Sequence, residues 1–177
     1  AVWLVWVLGQ QAGADGVLTY FAVEAATRLS EADGANIFQR DGQRDGEVFR
    51  VTASHGYSPE LTDFMKRQAV KPDRQSLSGR TVLERRIVHI PDVGADPEYA
   101  WSGPRQFNEY SAMLGVPLMR EGTPIGVLAL TRHKSMPFTP AQIELMSTFA
   151  DQAVIAIETL RLFREVRAQT AEIERTR

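Results

Sequence analysis

The densest chemical signal in the chain is cationic. Lys66, Arg67, Lys71, Arg74, Arg80, Arg85 and Arg86 stand against Asp73 and Glu84, a surplus of five positive charges within 21 residues. Turned inward, the forked guanidinium groups of Arg74 and Arg80 would pair with an anionic ligand such as a phosphate or a carboxylate. Turned outward, the same residues form a solvated helix face. Just downstream, Tyr99, Trp101, Phe107 and Tyr110 offer flat surfaces that stack on a planar ring or form a small core of their own. His89 and Asp92 complete the candidate binding set. His89 sits in the apolar stretch Ile87-Val88-His89-Ile90, and His55 ends an alternating run on the face of Phe49; both positions also suit a hydrogen-bonded structural histidine. Asp92 and Asp96, in Pro-Asp-Val-Gly-Ala-Asp-Pro, fit either a polar ligand or the turns that Asp, Pro and Gly build.

Signatures of other chemistry are missing. No Gly precedes Lys-Ser or Lys-Thr, so the phosphate-cradling loop of an ATPase is not encoded. The three histidines are followed by Gly56, Ile90 and Lys134, which excludes the helical His-Glu zinc motif and the phospho-acceptor of a kinase core. Ser76 and Ser78 lie near Gly79 without a Gly-x-Ser-x-Gly elbow. Zero cysteines exclude disulfides, thiolate catalysis, iron–sulfur ligation and a cofactor tethered through a thioether. No catalytic residue and no metal ligand is assigned, and the chain reads as a non-enzyme. With 20 Lys plus Arg against 22 Asp plus Glu, the net charge of −2 leaves no field for a nucleic-acid backbone.

The elements that must position these residues follow from periodicity. Val17, Leu18, Phe21, Ala22, Ala25 and Leu29 recur at helical spacing and predict a helix over 17–30. Residues 35–40 and 47–55 alternate as a hairpin, with Phe49, Val51 and Ala53 expected on one face. A second hairpin pairs 112–119 with 125–132 across Glu121-Gly122. Its last strand is apolar on both faces, which predicts a central strand covered twice. Between the hairpins, residues 56–111 hold five of the nine prolines and two short helical stretches, near 59–68 and 78–86; an excursion of that length usually carries function.

Thr139-Pro140 reads as a helix start, followed by Ile143, Met146, Phe149, Ala150, Ala153, Val154 and Ile157 on a buried face. Phe163, Val166, Thr170 and Ile173 continue at three-four-three spacing with charged residues around them, which predicts a two-stranded coiled coil continuing past Arg177. The order of elements argues for an α+β fold, a central antiparallel sheet flanked by helices, with a long C-terminal helix. Three parts are expected: an unplaced apolar segment and loop over 1–16, a folded domain over 17–160 and the start of a coiled-coil helix over 161–177. Residues 1–8 are apolar throughout, too short to span a membrane, and are expected to be buried in a dimer contact or against a helix. The first Lys or Arg is Arg28, so a secretory signal is not expected and the domain is placed in the cytoplasm.

Met113-Leu114-Gly115-Val116-Pro117-Leu118 with Gly122 and Ile125-Gly126-Val127-Leu128, then Pro137-Phe138-Thr139 and Phe149-Ala150-Asp151-Gln152-Ala153, resembles the second half of a GAF domain. Ser78-Gly79-Arg80 and Ile90-Pro91-Asp92-Val93 with Asp96-Pro97 resemble its middle, and the likeness runs from about Ala22 to Phe163. The resemblance implies a small-molecule pocket between one sheet face and the excursion. It also implies a sensory or dimerising role, as in bacterial GAF domains placed before a histidine kinase core of a two-component system or, less often, a nucleotide cyclase. The cysteines needed for covalent bilin attachment and for methionine-sulfoxide reduction are absent, as is the signature of the cyclic-GMP-binding branch. The expectation is therefore a noncovalent small-molecule ligand, no covalent cofactor, and a homodimer through the N- and C-terminal helices. A ligand-free dimerisation spacer is the competing expectation.

Overall fold

The computed structural model describes residues 14–42, 47–100 and 110–175, with side chains from Thr19 onward. Ten elements follow one another: α1 (Ala14–Ser30), β1 (Gly34–Arg40), β2 (Phe49–His55), α2 (Pro59–Arg67), α3 (Leu77–Glu84), β3 (Val88–Ile90), a 3-10 turn (Val93–Ala95), β4 (Ala112–Arg120), β5 (Thr123–Arg132) and α4 (Pro140–Arg175). The strands form one antiparallel sheet in the order β2-β1-β5-β4-β3. β5 is the middle strand, as its two apolar faces require. On one face Val23 and Ala26 of α1 and Met146 and Ala150 of α4 pack on Ile37, Leu114, Val116, Leu128 and Leu130. On the other, Leu77 and Val82 of α3 pack on Phe38, Val88, Ile90, Met113, Val127 and Ala129. The sheet thus separates the helix layer of α1 and α4 on one face from α2 and α3 on the other.

Two expectations are corrected by β2. Consecutive residues Ile37 and Phe38 pair with Ala53 and Val51, so Thr52 is an extra residue on β2, a β-bulge. Phe49 and Val51 therefore face the excursion while Ala53 turns into the helix layer. Strict alternation had placed all three together. His55 follows Ala53 across the sheet, and its ring lies edge-on to Tyr20 of α1. β3, three residues long, is too short for periodicity to announce.

Local chemistry sets the element ends. Thr139 caps α4 as a reciprocal box: its Oγ1 accepts from Gln142 N at 3.2 Å, and Gln142 Oε1 accepts from Thr139 N at 3.0 Å. Ser76 Oγ caps α3 by accepting from Gly79 N, and Ser58 caps α2 in the same way through Leu61 N. The β4–β5 turn places Glu121 at φ 49° and Gly122 at φ 77°. Both values are left-handed, as a two-residue hairpin loop demands, and only Gly122 meets them without strain. Glu121→Asn, which creates the favoured Asn-Gly pair, is expected to stabilise the fold by up to about 1 kcal/mol in urea unfolding.

α4 runs unbroken through Leu160. Beyond that point it leaves the domain. Leu162, Phe163, Val166 and Ile173 are more than half exposed. Among the described residues, no helix is long and apolar enough to cross a membrane. The apolar segment 1–8 lies outside the described residues.

Candidate functional site

A pocket of about 250 Å³ opens between the excursion-side face of the sheet and the segment that crosses it. Phe38 of β1, Met113 of β4 and Ala129 of β5 line the sheet side, with Met65 and Leu77 of the two short helices opposite. Tyr99 and Tyr110 bracket it. Burial pushes the Tyr99 phenol up to about 12, so it is a neutral donor at physiological pH.

The polar groups are concentrated at two ends. At the sheet end, Asn36 of β1, Thr131 of β5 and Tyr57 line the wall. Tyr57 Oη and Thr131 Oγ1 share a hydrogen bond of 2.9 Å. Burial raises the Tyr57 phenol far above its ordinary value. Gly34 holds that ring in place: a Cβ there would lie 2.7 Å from the Tyr57 ring carbon Cζ. At the other end stand Asp73, Gln75, Ser76 and Ser78, around the start of α3.

Tyr99 and Tyr110 are the two predicted ligand residues that the structure brings to the pocket. Trp101 and Phe107 lie outside the described residues. Arg74 and Arg80 do not line the pocket; they hold a strap, residues 96–100, that carries Tyr99 to it. Arg80, nearly fully buried, donates to both carboxylate oxygens of Asp96 at 2.8 and 3.1 Å and to the carbonyl of Arg74. Asp96 in turn accepts from the backbone N–H groups of Glu98 and Tyr99. Arg74 grips the Glu98 carboxylate with two bonds of 2.7 Å and reaches Glu84 at 3.1 Å. The cation surplus of the sequence is thus drawn partly into a latch that sets Tyr99 against the pocket. Asp92 caps the 3-10 turn through Gly94 N and is exposed.

The latch has a pH signature. The Arg80 guanidinium holds the Asp96 carboxyl down at about 2, against an ordinary value of 3.8. A depressed folded value means that the unfolded chain binds the proton first, so this stabilisation is complete above pH 3.8 and is lost as pH falls towards 2. The expected contribution is about 2 kcal/mol. Asp96→Asn should remove that segment of the acid-unfolding curve, read as urea midpoints between pH 2 and pH 5.

His89 lies on the opposite face of the sheet from the pocket. Its Nε2 accepts from Phe138 N at 3.2 Å, and its ring meets Phe138 edge-on. Burial, with the charge of Arg132 nearby, lowers its pKa, so it is a neutral structural histidine.

Arg132 of β5, a position without a motif in the sequence, turns its side chain into the helix layer and makes five hydrogen bonds there. It is 3% exposed and uses all five of its donors. Nη2 donates to Ser30 O at 2.6 Å and Gln142 Oε1 at 3.0 Å, Nη1 to Met136 O and Pro137 O, and Nε to Glu31 O. Its guanidinium carbon sits 4.1 Å from the centroid of the Phe138 ring. It therefore caps the last carbonyls of α1 and fixes the turn that launches α4. The preceding residue, Thr131, faces the pocket. Neighbouring positions on β5 so touch the two layers.

The family model for the GAF domain matches residues 17–158. The chain belongs to the GAF domain family. Among solved structures, the GAF domain from a phosphoenolpyruvate-protein phosphotransferase of Coxiella burnetii superposes with a TM-score of 0.74 at 16% identity, covering 92% of this chain and 93% of that one. A domain of a two-component sensor histidine kinase protein from Sinorhizobium meliloti 1021 gives 0.63 at 17% identity, covering 85% and 94%. A type II free methionine-R-sulfoxide reductase from Thermoplasma acidophilum gives 0.66 at 18% identity, covering 81% and 92%. No curated protein sequence matches. At these identities the likeness speaks for the fold, which serves phosphotransferase, sensor and reductase proteins alike. What this GAF domain does is carried by its own site.

Proposed function

We propose that this GAF domain is a cytoplasmic sensory module that holds a small molecule noncovalently in the pocket. Occupancy shifts the population between two arrangements of α1 and α4, with no bond made or broken. The observation that carries this reading is the Thr131-Arg132 pair. One side chain lines the pocket and the other grips both helices, so a change in the strand at the pocket reaches the helix ends within one residue. The output is a homodimer in which α1 and the extended α4 pair with those of a second copy, in the manner of a domain that precedes a histidine kinase core.

Native mass spectrometry of the purified chain, set against its denatured mass, tests both parts at once. The expected result is a dimer carrying an added mass per chain that disappears on denaturation. A monomer without added mass at every concentration overturns the reading.

The exposed row Phe163, Val166 and Ile173 favours a second reading, a ligand-free dimerisation spacer. A clean dimer without added mass supports that alternative, and so does a pocket that no small molecule enters.

A further inference from the structure

Two nearly buried side chains that line the pocket carry polar atoms with no hydrogen-bond partner among the described residues. Asn36 is 2% exposed; its Oδ1 accepts from Ser54 Oγ, and its Nδ2 meets no acceptor among the described residues. Ser78 is 6% exposed, and its hydroxyl likewise has no partner there. Every fully occluded side-chain nitrogen or oxygen among the described residues does have a partner. The Asn36 amide and the Ser78 hydroxyl must therefore open on space, and the space both residues line is the pocket. A donor from β1 and a donor or acceptor from α3 thus face it from nearly buried side chains.

The third group is a carboxylate. Asp73 lines the same pocket and accepts from Gln75 N, Ser76 N and Ser76 Oγ, all on Oδ1, which leaves Oδ2 free to accept a further donor. The start of α3 is where an anion would otherwise be drawn, by the helix dipole and by unpaired N–H groups. Here Asp73 and Ser76 already satisfy two of those groups, Ser76 N and Gly79 N, from within the chain, and the Asp73 carboxylate occupies the position an anion would take. A carboxylate or phosphate entering beside Asp73 would meet like charge in a partly desolvated site, and Arg74 and Arg80 are committed to Glu98 and Asp96.

We infer that the pocket selects a small uncharged molecule bearing a carbonyl and an N–H on one edge, an amide, lactam or cyclic ureide, with an apolar or aromatic body. The carbonyl accepts from Asn36 Nδ2, Ser78 Oγ adds a hydrogen bond, and the N–H donates to Asp73 Oδ2. The body lies on Phe38, Met113 and Ala129 under Tyr99. The volume suits one such ring system: it equals about eight waters at roughly 30 Å³ each. This class rests on the pocket being the ligand site proposed above, and it replaces the anionic ligand that the cation surplus had put forward.

Benzamide and benzoate form a matched pair of probes, equal in shape and different in charge. Titrated into the labelled protein and followed by amide chemical shifts, benzamide is expected to move the signals of Asn36, Ser78 and Ala129 and to bind at least tenfold more tightly than benzoate. Asp73→Asn keeps an acceptor for the α3 backbone and removes the charge, so benzoate should gain at least tenfold in that variant. Ser78→Ala should weaken benzamide severalfold with an unchanged far-UV spectrum. Benzoate binding as tightly as benzamide to the unmodified chain overturns the uncharged class while leaving the pocket a ligand site. Shifts at these three residues with neither probe, nor with any compound of a broad fragment set, overturn the pocket reading itself.

Discussion

Arg132→Ala is expected to cost about 3–4 kcal/mol of folding stability, the largest single-residue loss outside the apolar core. Five hydrogen bonds to uncharged acceptors vanish with the guanidinium, and the carbonyls of Ser30, Glu31, Met136 and Pro137 lose their donor. Bonds to a charged group contribute about 1.5–3 kcal/mol each in isolation, but they are not additive and water reaches part of the gap. The stack on Phe138 adds about 1–2 kcal/mol in a desolvated setting. Arg132→Lys separates charge from geometry. The ammonium retains the favourable position at the end of α1 but has three donors and no plane, and should recover less than half of the loss. Equilibrium urea unfolding of both variants measures this. If Lys restores full stability, the fork does not bridge the two helices and the clamp is a charge effect alone.

The second large effect is expected at Gly115. This residue lies on β4 beneath α3, and a Cβ built on it would sit 2.1 Å from Thr81 Oγ1 and 3.3 Å from two atoms of the Leu77 side chain. Thr81 has no room to yield, because its hydroxyl is bonded to Leu77 O and its side chain is fully buried. Gly115→Ala must therefore push α3 off the sheet, at about 2 kcal/mol, within the range for overpacking. The displacement also carries Ser78 and Arg80, so the pocket and the strap latch should loosen together. Amide shifts at Tyr99 and Ala100 should move in the variant even though Gly115 touches neither. Signals there that stay in place would show that the strap is held independently of α3.

Much of this architecture was legible in the residue pattern because burial imposes a period. The doubly apolar run Val127, Leu128, Ala129 and Leu130 marked β5 as the middle strand, and Thr139 with Pro140 marked the start of α4. What escaped were features without a period. The bulge at Thr52 reverses the faces of Ala53 and His55, and nothing in an alternating run of seven residues announces an extra one. The site was half legible. Tyr99 and Tyr110 have the flat rings of a stacking site and line the pocket, whereas the charges of Arg74 and Arg80 suggest a ligand but are met by Glu98 and Asp96, 24 and 16 residues along the chain. A sequence read along its length does not show which acid folds back on which base. Asn36 and Thr131 did carry a signal, since each is a polar residue inside an apolar strand, where a side chain without function is usually replaced by an aliphatic one.

Sensing in this domain requires that the pocket side of β5 be coupled through Arg132 to the ends of both helices. Hydrogen exchange tests it most directly, with a built-in occupant in place of a bound molecule. Ala129→Leu extends a side chain from β5 into the pocket without touching the helix layer. Backbone amides near 28–32 and 136–145 are expected to change their protection severalfold in this variant, alongside those of the pocket. Changes confined to the strap and α3, with both helix ends exchanging as before, would contradict it.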